Sequence, residues 1–235
     1  MKILSVDSSA VAASVSVTED AALLGEYTLL NGNTHSETLL PMVENLLNAL
    51  SLSVNDIDLF ACSVGPGSFT GVRIGTATVK GLAFASGKPC VGVSTLSALA
   101  YNLVGHKGLI CPVMNARRSQ VYTALFSSDG EKLTRLMEDS PLSISELDGI
   151  LSEKGQPVRL CGDGYDITEK GFSATELIPT PERERHTSAY SVAMIALEAY
   201  KNGDTTSDRE LVSTYLRPSQ AERERAEKLK NEQSL

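Results

Sequence analysis

Gly65-Pro66-Gly67-Ser68-Phe69-Thr70-Gly71-Val72-Arg73-Ile74-Gly75 follows an apolar run, Leu59 to Val64, and leads into small residues that reach Ser86 and stop at Gly87. The order is strand, glycine-rich turn, helix. Glycines admit positive φ and close backbone approach, and a helix N-terminus carries partial positive charge, so such a turn can cradle an anion. Ser68 and Thr70 add hydroxyl donors. The Gly-Lys-Ser/Thr ending of a Walker loop is missing, as are the spacing and downstream acid of a dinucleotide site. A tight turn with no ligand fits these residues equally well.

Upstream, Lys2 to Val6 reads as a strand, Asp7-Ser8-Ser9 as a hydroxyl-rich turn, and the alternation of Val11, Ala13, Val15 and Val17 as a second strand. A third strand, about 22–29, breaks at Asn31-Gly32-Asn33. A helix is expected from about Thr34 to Leu50, with Thr34 and Glu37 forming a capping box. Its apolar residues are Leu39, Leu40, Met42, Val43, Leu46, Leu47, Ala49 and Leu50, and they cover roughly half the circumference at about 100° per residue. That arc exceeds what a surface helix needs, so the helix either meets another subunit or is more deeply buried in its own fold. Pro41 falls on the polar side, where a freed carbonyl meets water.

Downstream of Gly87 come a strand at 90–93 and a short helix at 95–101. The opening pattern then restarts. Leu109 to Met114 reads as a strand, Asn115-Ala116-Arg117-Arg118-Ser119 as a polar turn with Asn115 in the place of Asp7, and Val121 to Phe126 as a second strand. A strand near Leu133, a short helix after Ser143, a strand at 158–161 and a helix from about Ser188 to Tyr200 follow. Alternating strands and helices indicate an α/β protein. Two hairpin-led halves point to a duplicated actin-like (ASKHA, ribonuclease H-like) fold: two lobes, each with a mixed β-sheet and flanking helices. The expected division is 1–104, 105–218 and a charged tail, 219–235.

Bulk properties narrow the function. The formal charge is −8, so the chain is a poor stand-alone binder of phosphate backbones. The segment Met1 to Asp7 reaches an acid before a secretory apolar core could form, and no run of about 18 apolar residues occurs, which gives the expectation of a cytoplasmic protein with no membrane contact. The four cysteines are scattered, in no zinc or CxxC spacing, and read as reduced core thiols.

The glycine string, followed by Lys80-Gly81-Leu82-Ala83 and Val91-Gly92-Val93-Ser94-Thr95-Leu96, resembles the signature of the TsaB (YeaZ) family in order and spacing. His35-Ser36-Glu37 with Leu39-Leu40-Pro41 and Asp56-Ile57-Asp58 are similar to it upstream. Ala116-Arg117-Arg118 with Val121-Tyr122 and Tyr215-Leu216-Arg217 are similar downstream. The likeness is dense over 1–100 and thin over about 125–210. Asn115 and Gln120 stand where the family pattern has acids, so charge contacts of those acids are not carried over.

The resemblance implies a non-catalytic subunit that pairs with a TsaD-like protein as a heterodimer. That partner transfers threonylcarbamoyl to the adenine next to the anticodon of ANN-decoding tRNAs. A TsaE-like ATPase joins the assembly, tRNA is met only through the complex, and the chain alone forms a homodimer. No cofactor is implied beyond room for ATP or ADP at the complex interface. The partner surface expected from the resemblance comprises His35, Leu39, Leu40, Val43, Leu46, Leu47 and Arg73, with the 72–86 helix beside them. Leu46→Glu is then expected to abolish pairing while the fold survives.

The residues bear on chemistry directly. His35, His106 and His186 have no i,i+3 or i,i+4 partner and HExxH is absent, so neither metal-binding nor catalytic residues are assigned. The alternative is an actin-like small-molecule kinase or hydrolase. Asp7, with Ser8 and Ser9, stands where such enzymes place an acid near magnesium, and Asp7, Gly65, Gly67, Ser68, Thr70 and Gly71 form its candidate nucleotide site. That chemistry asks for acids in both halves, and the second offers Asn115. Asp163, in Gly162-Asp163-Gly164, reads as a turn residue.

Overall fold

The computed structural model describes residues 1–32 and 34–217; the charged tail expected over 219–235 lies outside the described residues. Five strands build a first sheet: β1 (Lys2–Asp7), β2 (Ala13–Glu19), β3 (Ala22–Leu29), β4 (Leu59–Gly65) and β5 (Cys90–Ser94), in the order β3-β2-β1-β4-β5. A second sheet holds β6 (Gly108–Arg117), β7 (Gln120–Ser128), β8 (Leu133–Ser143), β9 (Val158–Cys161) and β10 (Leu177–Ile178), in the order β10-β9-β6-β7-β8. Each sheet therefore starts with an antiparallel meander and adds two parallel strands to the other edge of its first strand. The duplication suspected from the second hairpin is a repeat of the whole sheet topology.

β1 is central and apolar on both faces, as a doubly covered strand must be. Leu4 and Val6 join a core with α1 (His35–Ala49) and α2 (Phe69–Ser86). Ile3 faces the opposite core, formed with α6 (Ala189–Lys201). Ser5, on that second face, is fully buried but satisfied: it hydrogen-bonds the Ser16 hydroxyl and the Ala189 carbonyl, both at 2.7 Å.

The local signals on α2 hold. Ser68 accepts the Gly71 N–H at 3.2 Å and caps the start, and Gly87 ends the helix in the left-handed region, φ 66°. The capping box on α1 does not form. The Thr34 hydroxyl donates to the Glu37 carboxylate at 2.6 Å instead of accepting an N–H. A capping box appears where none was expected: Ser143 and Glu146 close the start of α4 (Ile144–Ser152) reciprocally. The second hairpin also departs from expectation. Its strands run through the expected 115–119 turn, so that Arg117, Arg118 and Ser119 make a tight reversal with three successive positive φ angles, 63°, 55° and 56°.

The remaining helices are α3 (Thr95–Tyr101) and α5 (Tyr165–Gly171). The seven residues of α5 carry little periodicity and give no helix signal in the sequence. α6 lies in the 105–218 range but packs on the first sheet, with Val192, Ala193, Ala196 and Leu197 against Ile3, Leu59, Ala61 and Val93. The chain stays there: Thr206 bridges Cys90 in both directions, Leu211 enters the first core, and the Thr214 N–H reaches the Val64 carbonyl at 2.7 Å. Among the described residues no helix is long and apolar enough to cross a membrane.

Candidate functional site

Asp7 ends β1, and its carboxylate is fully enclosed. Oδ1 accepts the Ser9 N–H at 2.9 Å and the Ser9 hydroxyl at 2.6 Å; Oδ2 accepts the Ser63 hydroxyl of β4 at 2.5 Å. Burial pushes its pKa up, and the bonds from Ser63 and Ser9 pull against that rise. The group ties the first turn to β4 and does not line the cleft described below.

The glycine loop packs directly on this turn. A Cβ on Gly71 would overlap the Ser8 carbonyl oxygen, one on Gly67 the Ser9 carbonyl oxygen, and one on Gly65, φ 115°, the Thr214 carbonyl oxygen. The Ser68 N–H donates to the Ser9 carbonyl at 2.7 Å, and the Ser8 hydroxyl to the Gly71 carbonyl at 2.8 Å. These glycines are needed because protein backbone occupies the space a side chain would fill. Asp7, Gly65, Gly67, Ser68, Thr70 and Gly71 are thus brought together as the sequence suggests, but only Gly67, Ser68 and Thr70 of that set face open space.

The second lobe repeats the device. Gly162-Asp163-Gly164 follows β9, a Cβ on Gly162 (φ 104°) would overlap the Val113 carbonyl oxygen, and the Gly164 N–H donates to that same oxygen at 3.0 Å. Asp163 accepts the Asn115 N–H at 2.9 Å, and desolvation raises its pKa. Asn115 is exposed, unlike Asp7, and its side-chain oxygen accepts the Arg117 N–H at 2.8 Å.

Between the two turns lies a cleft of about 630 Å³. The first lobe contributes Ser9, Ser68, Phe69 and Thr70, and the second Asn115, Arg117, Tyr122 and Asp163. The returning segment adds Thr214 to Arg217. Tyr215 stacks on Phe69 with centroids 4.7 Å apart; Arg73 lies 3.8 Å over the Phe69 ring and donates from Nε to the Tyr215 hydroxyl at 3.0 Å. Arg217 crosses to the second lobe, donating to the Gln120 side-chain oxygen at 2.6 Å, 5.8 Å from the Tyr122 ring. In the sequence, Arg117, Tyr122, Tyr215 and Arg217 stand out only as family-like strings. Their meeting in one cleft joins segments roughly a hundred residues apart, which no local pattern signals.

The expected partner surface needs correction. Leu39, Val43, Leu46 and Leu47 are at most 5% exposed and belong to the first core, so they cannot meet another chain without unfolding. α1 packs on the sheet and on α2 at once, which uses up the wide apolar arc. Gly25 on β3 marks how close the approach is: a Cβ there would come within 2.8 Å of Leu46. Leu46→Glu would therefore destroy the fold rather than only the pairing. His35 is half-buried and bonds the Ala10 carbonyl through Nε2 at 2.8 Å. Leu40 on α1, 56% exposed, and Arg73 on α2 do face outward, and Ala77, Gly81 and Phe84 are exposed on α2 as well.

Comparison with known proteins places this architecture. The model of a family described as "TsaD: tRNA N6-adenosine threonylcarbamoyltransferase" matches residues 30–222. The tRNA threonylcarbamoyladenosine biosynthesis protein TsaB of Bacillus subtilis (strain 168) is 34% identical over 162 residues, 69% of this chain and 71% of that one. The TsaB protein of Escherichia coli (strain K12) is 36% identical over 131 residues, 55% of this chain and 56% of its own length. Among solved structures, a Pseudomonas aeruginosa protein described as similar to peptidase YEAZ superposes with a TM-score of 0.79 at 26% identity, covering 92% of this chain and 99% of that one. YeaZ from Pseudomonas aeruginosa, at 24% identity, shares the fold with a TM-score of 0.76. With its duplicated sheets and the glycine loop packed on the first turn, the chain belongs to the TsaB (YeaZ) family and has the actin-like fold of that family.

Proposed function

We propose that this chain is a non-catalytic partner subunit in tRNA threonylcarbamoyladenosine biosynthesis. It binds a TsaD-like protein, supports its active form in the transfer of threonylcarbamoyl to ANN-decoding tRNAs, and helps recruit a TsaE-like ATPase. The observation that carries this reading, within a family named for that pathway, is the enclosure of Asp7. A magnesium-holding acid must present lone pairs to the metal or its waters, whereas the Asp7 carboxylate is fully buried and accepts three hydrogen bonds from Ser9 and Ser63. Among the described residues no three His, Cys, Asp or Glu side chains gather where one metal ion could sit.

The outward faces of α1 and α2 supply the partner surface. On α2, small Ala77 and Gly81 permit close helix approach and Phe84 is 71% exposed, while α1 offers exposed Leu40. Without a TsaD-like partner the same face makes the homodimer. The interface of the complex is where ATP or ADP has room.

The test is reconstitution. A purified TsaD-like protein, a TsaE-like ATPase, tRNA and the threonylcarbamoyl donor are combined with and without this chain, and modified adenine is measured. Transfer is expected to depend on the chain. Magnesium-dependent ATP turnover by the chain alone, lost in Asp7→Ala, overturns the non-catalytic reading.

A further inference from the structure

We propose that the mouth of the inter-lobe cleft is an RNA-contacting surface of this chain, holding the phosphodiester backbone of a single-stranded segment on Arg117 and Arg217 of the cleft and on Arg118 of the adjoining reversal, with Tyr215 offered to a base. Three observations carry it. First, the charge there is uncompensated. In a chain of net charge −8, Arg135, Arg183 and Arg185 pair with carboxylates, but among the described residues Arg117, Arg118 and Arg217 do not, nor do Arg73 beside Phe69 and, elsewhere, Arg159 and Arg209; what marks the first three is that they gather on one cleft and its adjoining reversal. Second, the arginines are positioned. Arg217 is held by Gln120 and Arg73 by Phe69 and Tyr215, so little side-chain freedom is left to lose on binding. Arg117 and Arg118 are exposed on a reversal whose left-handed backbone residues other than glycine and asparagine rarely adopt, and such strain concentrates at functional sites. Third, Tyr215 is 40% exposed and already stacked on Phe69, a platform of the kind that receives unstacked bases.

The same observations disfavour a free nucleotide. The glycines that would cradle its phosphates pack against Ser8 and Ser9, and the Ser68 N–H is already used. Asp163 places a carboxylate in the cleft wall, away from which phosphates are driven toward the arginine rim. The charge cluster stands on its own; the choice of RNA as the polyanion rests on the proposed function.

The experiment is fluorescence anisotropy of a labelled single-stranded RNA titrated with the full chain alone at several salt concentrations. Weak, salt-dependent binding is expected, with a log–log slope of about −2 to −3 for three or four phosphate contacts. Arg117→Asn with Arg118→Asn, chosen because Asn tolerates a left-handed backbone, should weaken binding about tenfold at low salt and flatten the slope by about 1.4. Arg117→Lys with Arg118→Lys should keep most of the binding. Absence of salt-dependent binding, or equal binding by the Asn double variant, overturns the proposal. So does Mg-ATP displacing the RNA stoichiometrically, which assigns the cleft to nucleotide. Pairing with the TsaD-like protein is measured separately by size exclusion. Retained pairing with no RNA binding removes only this inference, and lost pairing with RNA binding removes only the partner role.

Discussion

The turn after β1 and the turn before β7 sit in two copies of one topology, and they spend their polar atoms in opposite ways. In the first, Asp7, Ser8, Ser9 and the glycine loop are consumed by one another. In the second, the glycines of 162–164 still pack on backbone, but Asn115, Arg117 and Arg118 face outward. One copy of the duplicated fold has become a structural joint, and the other presents charge. The contrast shows that a glycine-rich strand-to-helix turn identifies a packing relation first; whether it also holds a ligand depends on what lies above it.

Substitutions in the packed region should move stability and leave binding alone, and those in the open region the reverse. The largest effect is expected from Leu46→Glu. Truncating a buried leucine costs about 2–5 kcal/mol, and an unpaired buried carboxylate adds to that. Against a typical stability of about 5–15 kcal/mol, circular dichroism should report a chain that melts far below the wild type or does not fold. Next come Gly71→Ala and Gly162→Ala, where a new Cβ meets a carbonyl oxygen in both lobes. Overpacking of this kind costs about 1–3 kcal/mol, and Gly162 adds the strain of its positive φ. Losses at both sites in denaturant melts, the larger at Gly162, would affirm that both turns are packing joints; a silent Gly71→Ala would break the comparison.

A pair of carboxylates sharpens it by pH. Asp148 in α4 is buried, which alone would raise its pKa, but the N–H groups of Ser173, Ala174 and Thr175 hold it down at about 2. Its folded pKa lies below the unfolded value near 3.9, so its stabilisation is present above pH 3.9 and fades as pH falls toward 2. Asp148→Asn should cost about 2 kcal/mol at neutral pH and much less near pH 2. Asp7 has the opposite sign. Its pKa is raised by burial, so the fold is favoured while Asp7 is protonated and loses that advantage as pH rises from the unfolded value through the folded one. The stability of Asp7→Asn relative to wild type should therefore improve as pH climbs out of the acid range. The smallest effect on stability belongs to Phe84→Glu, within about 0.5 kcal/mol for an exposed site. Light scattering after size exclusion should nonetheless show pairing lost; intact pairing would move the interface off α2.

Much of the fold is legible in the residues. α2 is announced by Ser68 at its start and Gly87 at its end, and β1 and β4 by apolar runs between turn residues, because caps, turns and periodicity act over a few neighbours. α5 and the Ser143–Glu146 box escaped because short elements leave weak patterns. The apolar arc on α1 is visible in the sequence, but its use is not. The same arc fits a helix shared with a partner or one wedged between a sheet and α2, and only the approach marked by Gly25 decides.

The amino-acid sequence by itself determined the duplicated α/β architecture and the family, since both rest on local spacing. Tertiary structure decided which acid is sealed and which residues are open. Enclosure of Asp7 needs Ser63 from β4, and the cationic cleft mouth needs Arg117, Tyr122, Tyr215 and Arg217 to arrive from separate elements. Burial and electrostatic pairing depend on neighbours in space, and those neighbours are set by how the two sheets and the returning segment close on each other.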